Sequence, residues 1–221
     1  MTQLLERIEI ESAPNPTAAV IWMHGLGASG DDFAAIVPEL DLSGCRPIRF
    51  VFPHAPQMPV TINGGYVMPA WYDILGPGRP EDATGLRASQ KLVDALIGAE
   101  IARGIPAARI VLAGFSQGCA MAIQTGLRHP ETLAGLLCLS GYVPLSAKIG
   151  TERTEASKST PIFMAHGRYD NVVPFNRAEA SRDPIARAIG IISSALPWAW
   201  KIGTPTLAGL RSAPVSSASG R

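Results

Sequence analysis

The stretch Arg109-Ile-Val-Leu-Ala-Gly-Phe-Ser-Gln-Gly-Cys-Ala120 runs from an apolar segment through the pattern Gly114-x-Ser116-x-Gly118 into an amphipathic one. A strand that turns sharply into a helix at a serine lifts the hydroxyl above the edge of a sheet. The flanking glycines have a steric task. At so tight a turn, strand and helix approach until a Cβ at Gly114 or Gly118 would collide with neighbouring backbone. Ser116 then lies at the positive end of the following helix, where the free amide of Gln117 can stabilise an oxyanion. A serine that merely caps an ordinary helix is the plainer alternative.

Outward from this motif, apolar runs alternate with helical patterns. Runs at 18–23, 47–52, 109–114, 133–140 and 161–165 are short and apolar on consecutive positions, as in strands covered on both faces. Leu86, Gln90, Val93, Ile97 and Ile101 recur at helical spacing and predict a helix over 84–103, closed by Gly104. A second helix is predicted over 117–128. Strands alternating with helices make βαβ units, and the predicted fold class is α/β, a mostly parallel sheet with helices on both faces. Ligands of such sheets bind beyond the carboxyl ends of the strands.

Two further segments follow apolar runs. In His24-Gly25-Leu26-Gly27, glycines on both sides let the Leu26 N–H turn toward a substrate as a second oxyanion donor. A phosphate-binding loop fails for want of a Lys-Ser/Thr pair, and a dinucleotide fingerprint for want of a third glycine. His24 itself reads as a side chain bracing this loop. In His166-Gly167-Arg168-Tyr169-Asp170-Asn171-Val172-Val173-Pro174, Asp170 is the candidate acid that would orient a histidine and stabilise its imidazolium. A turn-forming role ahead of Pro174, which is placed to open a helix, is the plainer reading.

Composition limits the alternatives. The 221 residues include 19 basic and 18 acidic side chains for a net charge of +1, with 47% hydrophobic and 17% charged residues. Such a chain folds around a large core, and near-neutrality argues against a nucleic-acid binder. No apolar stretch approaches the length of a membrane span, and Glu6, Glu9 and Glu11 stand where a secretory signal would carry bases, so a cytoplasmic location is expected. Cys45, Cys119 and Cys138 form no metal or CxxC spacing and read as reduced, the latter two as small buried hydrophobes. No metal site is expected.

His24-Gly-Leu-Gly, Phe52-Pro-His-Ala-Pro with Trp71-Tyr72-Asp73, Gly114-Phe-Ser-Gln-Gly and His166-Gly-x-x-Asp170 together resemble the carboxylesterase and acyl-protein thioesterase (lysophospholipase-like) family of α/β-hydrolases. The likeness covers roughly residues 4–183. It implies an α/β-hydrolase fold and a lidless serine hydrolase acting on a small acyl ester or thioester without a cofactor. Ser116 would be the nucleophile, Asp170 the acid, Leu26 and Gln117 the oxyanion amides, and Trp71 a wall of the acyl pocket. The family takes its base from a Met-x-His-Ser type loop beyond the acid, and this sequence has no histidine after His166. The departure coincides with a change in composition: no Asp or Glu follows Asp183, and the remainder is basic and rich in Pro, Ala, Gly and Ser. We therefore divide the chain into a hydrolase domain, residues 1–183, and a divergent or frame-shifted tail, residues 184–221, with the C-terminal strand and helix missing or altered. Loss of the base predicts weak or absent turnover; a non-catalytic relative that binds an acyl ligand or a protein partner is the alternative. An apolar face left open by the tail would favour a homodimer.

Overall fold

The structure is a computed structural model that describes residues 4–189, 193–196 and 199–202. An eight-stranded sheet has the order β1-β3-β2-β6-β7-β8-β10-β9. Its parallel centre consists of β3 (Ile48–Pro53), β2 (Ala18–Met23), β6 (Ile110–Phe115), β7 (Gly135–Leu139) and β8 (Ile162–Ala165). These are the five apolar runs read from the sequence. Burial on both faces explains their lack of alternation. Ala19, Ile21 and Met23 of β2 point into one core layer, while Ala18, Val20 and Trp22 point into the other.

Three strand pairs lay outside the sequence reading. β1 (Arg7–Glu11) runs antiparallel to β3 at one edge, and β4 (Gln57–Val60) pairs with β5 (Tyr66–Pro69) in a separate hairpin. At the other edge, β10 (Ala199–Ile202) lies antiparallel to β8 and carries β9 (Ser193–Leu196) on its outer side. On this side the sheet thus ends in an antiparallel extension.

Helix α2 (Ala83–Ala102) begins where Asp82 Oδ1 accepts the Gly85 N–H at 2.9 Å, and ends ahead of Gly104, whose φ of +93° only glycine adopts without strain. Its buried positions are Leu86, Ser89, Val93, Leu96, Ile97 and Glu100, so the face is rotated slightly from the predicted stripe, leaving Gln90 and Ile101 half-buried. α3 (Gln117–Gly126) and α5 (Phe175–Ile189) lie with α2 on one face of the sheet, as does the single turn α4 (Ile149–Glu152). The short α1 (Asp31–Ala34) covers the other through Phe33 and Ala34. The uneven cover follows from handedness. The β2-to-β3 connection runs one way along the sheet and every later parallel crossover runs the other, so right-handed crossovers send α1 to the opposite face. Helix α5 carries the backbone through positions 183 and 184 without a break. Among the described residues no helix is long and apolar enough to cross a membrane.

A buried ion pair fastens α2 to the sheet. Arg49, 8% exposed, donates to Glu100 Oε2 at 2.8 Å, and Glu100 is 2% exposed. Arg103 adds a 2.9 Å bond to Glu100 and another to Glu9 on β1. Removing Glu100 takes away the buried partner of Arg49 and leaves it the more exposed Glu11, at 3.0 Å, so Glu100→Ala should lower the unfolding free energy by about 1–3 kcal/mol in urea titrations.

Acid should weaken the same edge. Burial pushes the Glu9 carboxyl up, but hydrogen bonds and charge from Arg7 and Arg103 outweigh it and hold it below its ordinary 4.5. Glu152 is held low in the same way by Arg87 and Arg128, against its own desolvation. A carboxyl lowered in the folded state contributes stability above its unfolded value and loses it as pH falls through the folded one. Urea midpoints should therefore drop steadily below about pH 4.5, less steeply in Glu9→Gln than in the parent.

Candidate active site

Ser116 stands between β6 and α3 with φ 54° and ψ −115°, a left-hand conformation that a side-chain-bearing residue adopts only under constraint. The constraint is backbone crowding. A Cβ on Gly114 would lie 2.1 Å from Gly118 O, and one on Gly118 would lie 2.2 Å from Met23 O and 2.6 Å from His24 O. Both glycines are there because strand, helix and the end of β2 leave no room for anything else. The serine hydroxyl makes no capping bond to its own helix, and the residue is half-buried.

The loop after β2 meets the serine directly, since a Cβ on Gly25 would be 3.4 Å from Ser116 Cβ. Within that loop Gly27 N–H is spent on Pro69 O at 2.9 Å and Ala28 N–H on Gly25 O at 3.2 Å. Leu26 N–H has no acceptor among the described residues. The other candidate donor, Gln117 N–H, belongs to the first residue of α3 and has no partner within the helix.

The side chain of Gln117 does something the sequence did not announce. Buried at 3% exposure, its Oε1 accepts Trp71 N–H at 2.8 Å and its Nε2 donates to Tyr72 O at 2.8 Å. Trp71, 1% exposed, in turn donates its indole N–H to His24 O at 2.9 Å. Its ring is therefore a tie between the 24–27 and 71–72 segments inside the core, not an open surface. The only forewarning was a glutamine after the serine where any residue would supply the amide.

Asp170 sits beyond β8 and its Oδ1 accepts the N–H groups of Val172 and Val173, both at 2.9 Å. The plainer turn-forming reading is thus part of its role. One oxygen organises the turn before α5, while Oδ2 has His166 Nε2 at 3.7 Å. The register Phe115↔Leu139↔Ala165 aligns the ends of β6, β7 and β8, so Ser116 and His166 each follow a matched position two strands apart, about 10 Å.

Three of the four imidazoles hold loops in place, and the fourth, His129, is buried with neither ring nitrogen hydrogen-bonded among the described residues. His24, wholly buried, accepts Ala55 N–H on Nε2 at 3.0 Å, so its Nδ1 carries the hydrogen donated to Gly25 O at 2.7 Å. Burial also lowers its pKa, keeping the ring neutral. It braces the loop, as the sequence reading held. His54 accepts Gly30 N–H on Nδ1 at 3.2 Å and lines a surface depression with Glu6, Arg7 and Glu9. His129 follows the far end of α3, about 15 Å from Ser116, with Nδ1 3.5 Å from Asp94. His166 donates from Nε2 to Val173 O at 2.8 Å and is 3% exposed.

Cys119 and Cys138 are free and fully buried, and a hydrogen bond from Cys119, then burial, pushes the Cys138 thiol well up. Neither is a nucleophile. Among the described residues no three His, Cys, Asp or Glu side chains are grouped to hold a metal ion.

Two substitutions separate the parts of this arrangement. Gly118→Ala should destabilise the chain by about 3 kcal/mol or more, because backbone must move to admit the methyl. Gln117→Ala keeps the amide but strands Trp71 N–H and Tyr72 O, and should cost about 1–3 kcal/mol for each buried group left unpaired. Urea unfolding of both variants measures these costs.

A family model described as Phospholipase/Carboxylesterase matches residues 5–191. The chain is similar to acyl-protein thioesterase 1 of Schizosaccharomyces pombe, 39% identical over 183 residues, covering 82% of this chain and 81% of that protein. The Neurospora crassa acyl-protein thioesterase 1 is 43% identical over 177 residues, covering 76% and 72%. Among solved structures, Arabidopsis thaliana SOBER1 superposes with a TM-score of 0.72 at 35% identity, covering 78% of this chain and 84% of that one, and Zea mays acyl-protein thioesterase 2 with 0.71 at 26%, covering 83% and 85%. The elbow at Ser116 and the extent of these matches agree, and the chain belongs to the phospholipase/carboxylesterase family of α/β-hydrolases.

Proposed function

We propose that the chain is a serine hydrolase of the carboxylesterase and acyl-thioesterase type, working through an acyl-Ser116 intermediate. The observation that supports this is the constrained Ser116 backbone with Gly25 pressed against it; in our reading the hydroxyl works beside the amides of Leu26 and Gln117. In this reading Ser116 Oγ attacks the acyl carbon, the two N–H groups take the developing negative charge, and Asp170 is the acid. Relatives named acyl-protein thioesterase, and a family model described as Phospholipase/Carboxylesterase, favour acyl thioesters and esters as substrates; the cytoplasmic location is carried over from the sequence alone.

The same reading holds the activity to be impaired. Residues 167–221 contain no histidine; His24, His54 and His166 are committed as described, and His129 lies beyond the far end of α3. Losing the base from a worked serine protease costs about 10⁶ in turnover and leaves roughly 10³–10⁴ over water from the oxyanion hole and binding. The second reading, a non-catalytic relative that holds an acyl ligand or a partner, draws on that commitment. We read the acid-free tail from 184 onward as a divergent or frame-shifted replacement of the family's ending.

Incubation with a fluorophosphonate, followed by peptide mapping, should find slow covalent labelling at Ser116 and none in Ser116→Ala. A short-chain nitrophenyl ester should be cleaved faster by the parent than by that variant. Equal ester rates together with no label would leave only the binding reading. Translating the source gene in all frames tests the tail, since no Met-x-His-Ser stretch in any frame excludes a frame shift.

A further inference from the structure

We propose that the site takes a free imidazole from solution as its general base. This rests on the reading above. In that reading the chain supplies the three parts that work with a catalytic imidazole: the hydroxyl of Ser116, the amides of Leu26 and Gln117, and a carboxylate fixed in place at Asp170. Asp170 spends Oδ1 on the Val172 and Val173 amides, which locks the carboxyl plane. Oδ2 accepts no hydrogen bond among the described residues: His166 Nε2, 3.7 Å away, gives its hydrogen to Val173 O at 2.8 Å. The side chain of Asp170 is 19% exposed, so solutes reach it.

The spacing suits such a guest. Two hydrogen bonds of about 2.8 Å and the roughly 2 Å between ring nitrogens need about 8 Å between hydroxyl and carboxylate. Ser116 and the Asp170 loop leave the sheet from β6 and β8, about 10 Å apart across β7. None of the chain's own imidazoles is free to fill the gap. His24 and His54 are tied to the loops before Ala55 and Gly30, His129 lies at the opposite end of α3, and turning His166 toward the serine would break its bond to Val173 O.

The guest donates one N–H to Asp170 Oδ2 and receives the Ser116 proton on its other nitrogen as Oγ bonds to the acyl carbon. The tetrahedral oxyanion rests on the Leu26 and Gln117 amides. Its collapse breaks the bond to the leaving oxygen or sulfur, which takes the proton from the imidazolium. In the second half the imidazole removes a proton from water as the water oxygen attacks the acyl carbon, and Ser116 Oγ departs with that proton. The free imidazole is regenerated.

The test is hydrolysis of 4-nitrophenyl acetate by purified chain over a series of imidazole concentrations, with Ser116→Ala at each concentration to subtract the catalysis imidazole performs alone. A Ser116-dependent rate that rises about 100-fold and saturates is expected. 1-Methylimidazole has no N–H for Asp170 and should rescue far less, and Asp170→Asn, checked for folding by circular dichroism, should lose most of the gain. Fluorophosphonate labelling of Ser116 without any imidazole gain overturns this inference and leaves the hydrolase reading standing, as does equal rescue by 1-methylimidazole. Neither labelling nor a Ser116-dependent rate at any imidazole concentration overturns both.

Discussion

The whole site depends on one steric fact, the contact of α3 with the end of β2. Gly118 lies so near the Met23 and His24 carbonyls that no side chain fits, and Gly114 lies as near to Gly118. Because helix and strands are pressed together there, the residue between them has no relaxed backbone choice, and Ser116 takes φ 54°. The same closeness brings the 24–27 loop against the serine and aims the first turn of α3 at the same point in space. The proposed nucleophile and the proposed anion stabilisers therefore come from a single packing contact, and they stand or fall together.

Around that contact the loops are also held by buried hydrogen bonds. His24, Trp71 and Gln117 form a closed set of ties in which each polar atom has a backbone partner. Such a set is rigid because a lost bond leaves a buried group unpaired, a penalty larger than the bond's net worth. It also explains why a histidine so near the serine is chemically idle. The neutral ring of His24 is spent on the two neighbouring loops, and burial lowers its pKa further.

The parallel centre of the sheet was legible because strands buried on both faces write themselves as unbroken apolar runs, and the elbow because its glycines have only one steric purpose. β1, with its sequence Arg-Ile-Glu-Ile-Glu, carries the alternation of an edge strand with one wet face and went unread beside those stronger signals. The β4 and β5 hairpin contains Pro59 and Pro69, which usually argue against strands, and here they fall in a two-stranded ribbon apart from the main sheet. Gln117 and Trp71 were assigned by position in a motif. Which way a side chain faces, and which backbone amide it meets across 46 residues of chain, is decided by packing and leaves no local trace. Asp170 was found by order and spacing, but its division of labour between two oxygens is a matter of geometry alone.

The antiparallel seating of β10 on β8 has a wider meaning for how such folds change. A sheet border recognises only peptide groups at the right interval, so nearly any extended segment can close it. A reacting centre demands particular atoms at particular points. A chain whose ending has been rewritten can thus keep its architecture sealed while its chemistry lapses, and the two properties are free to drift apart in evolution.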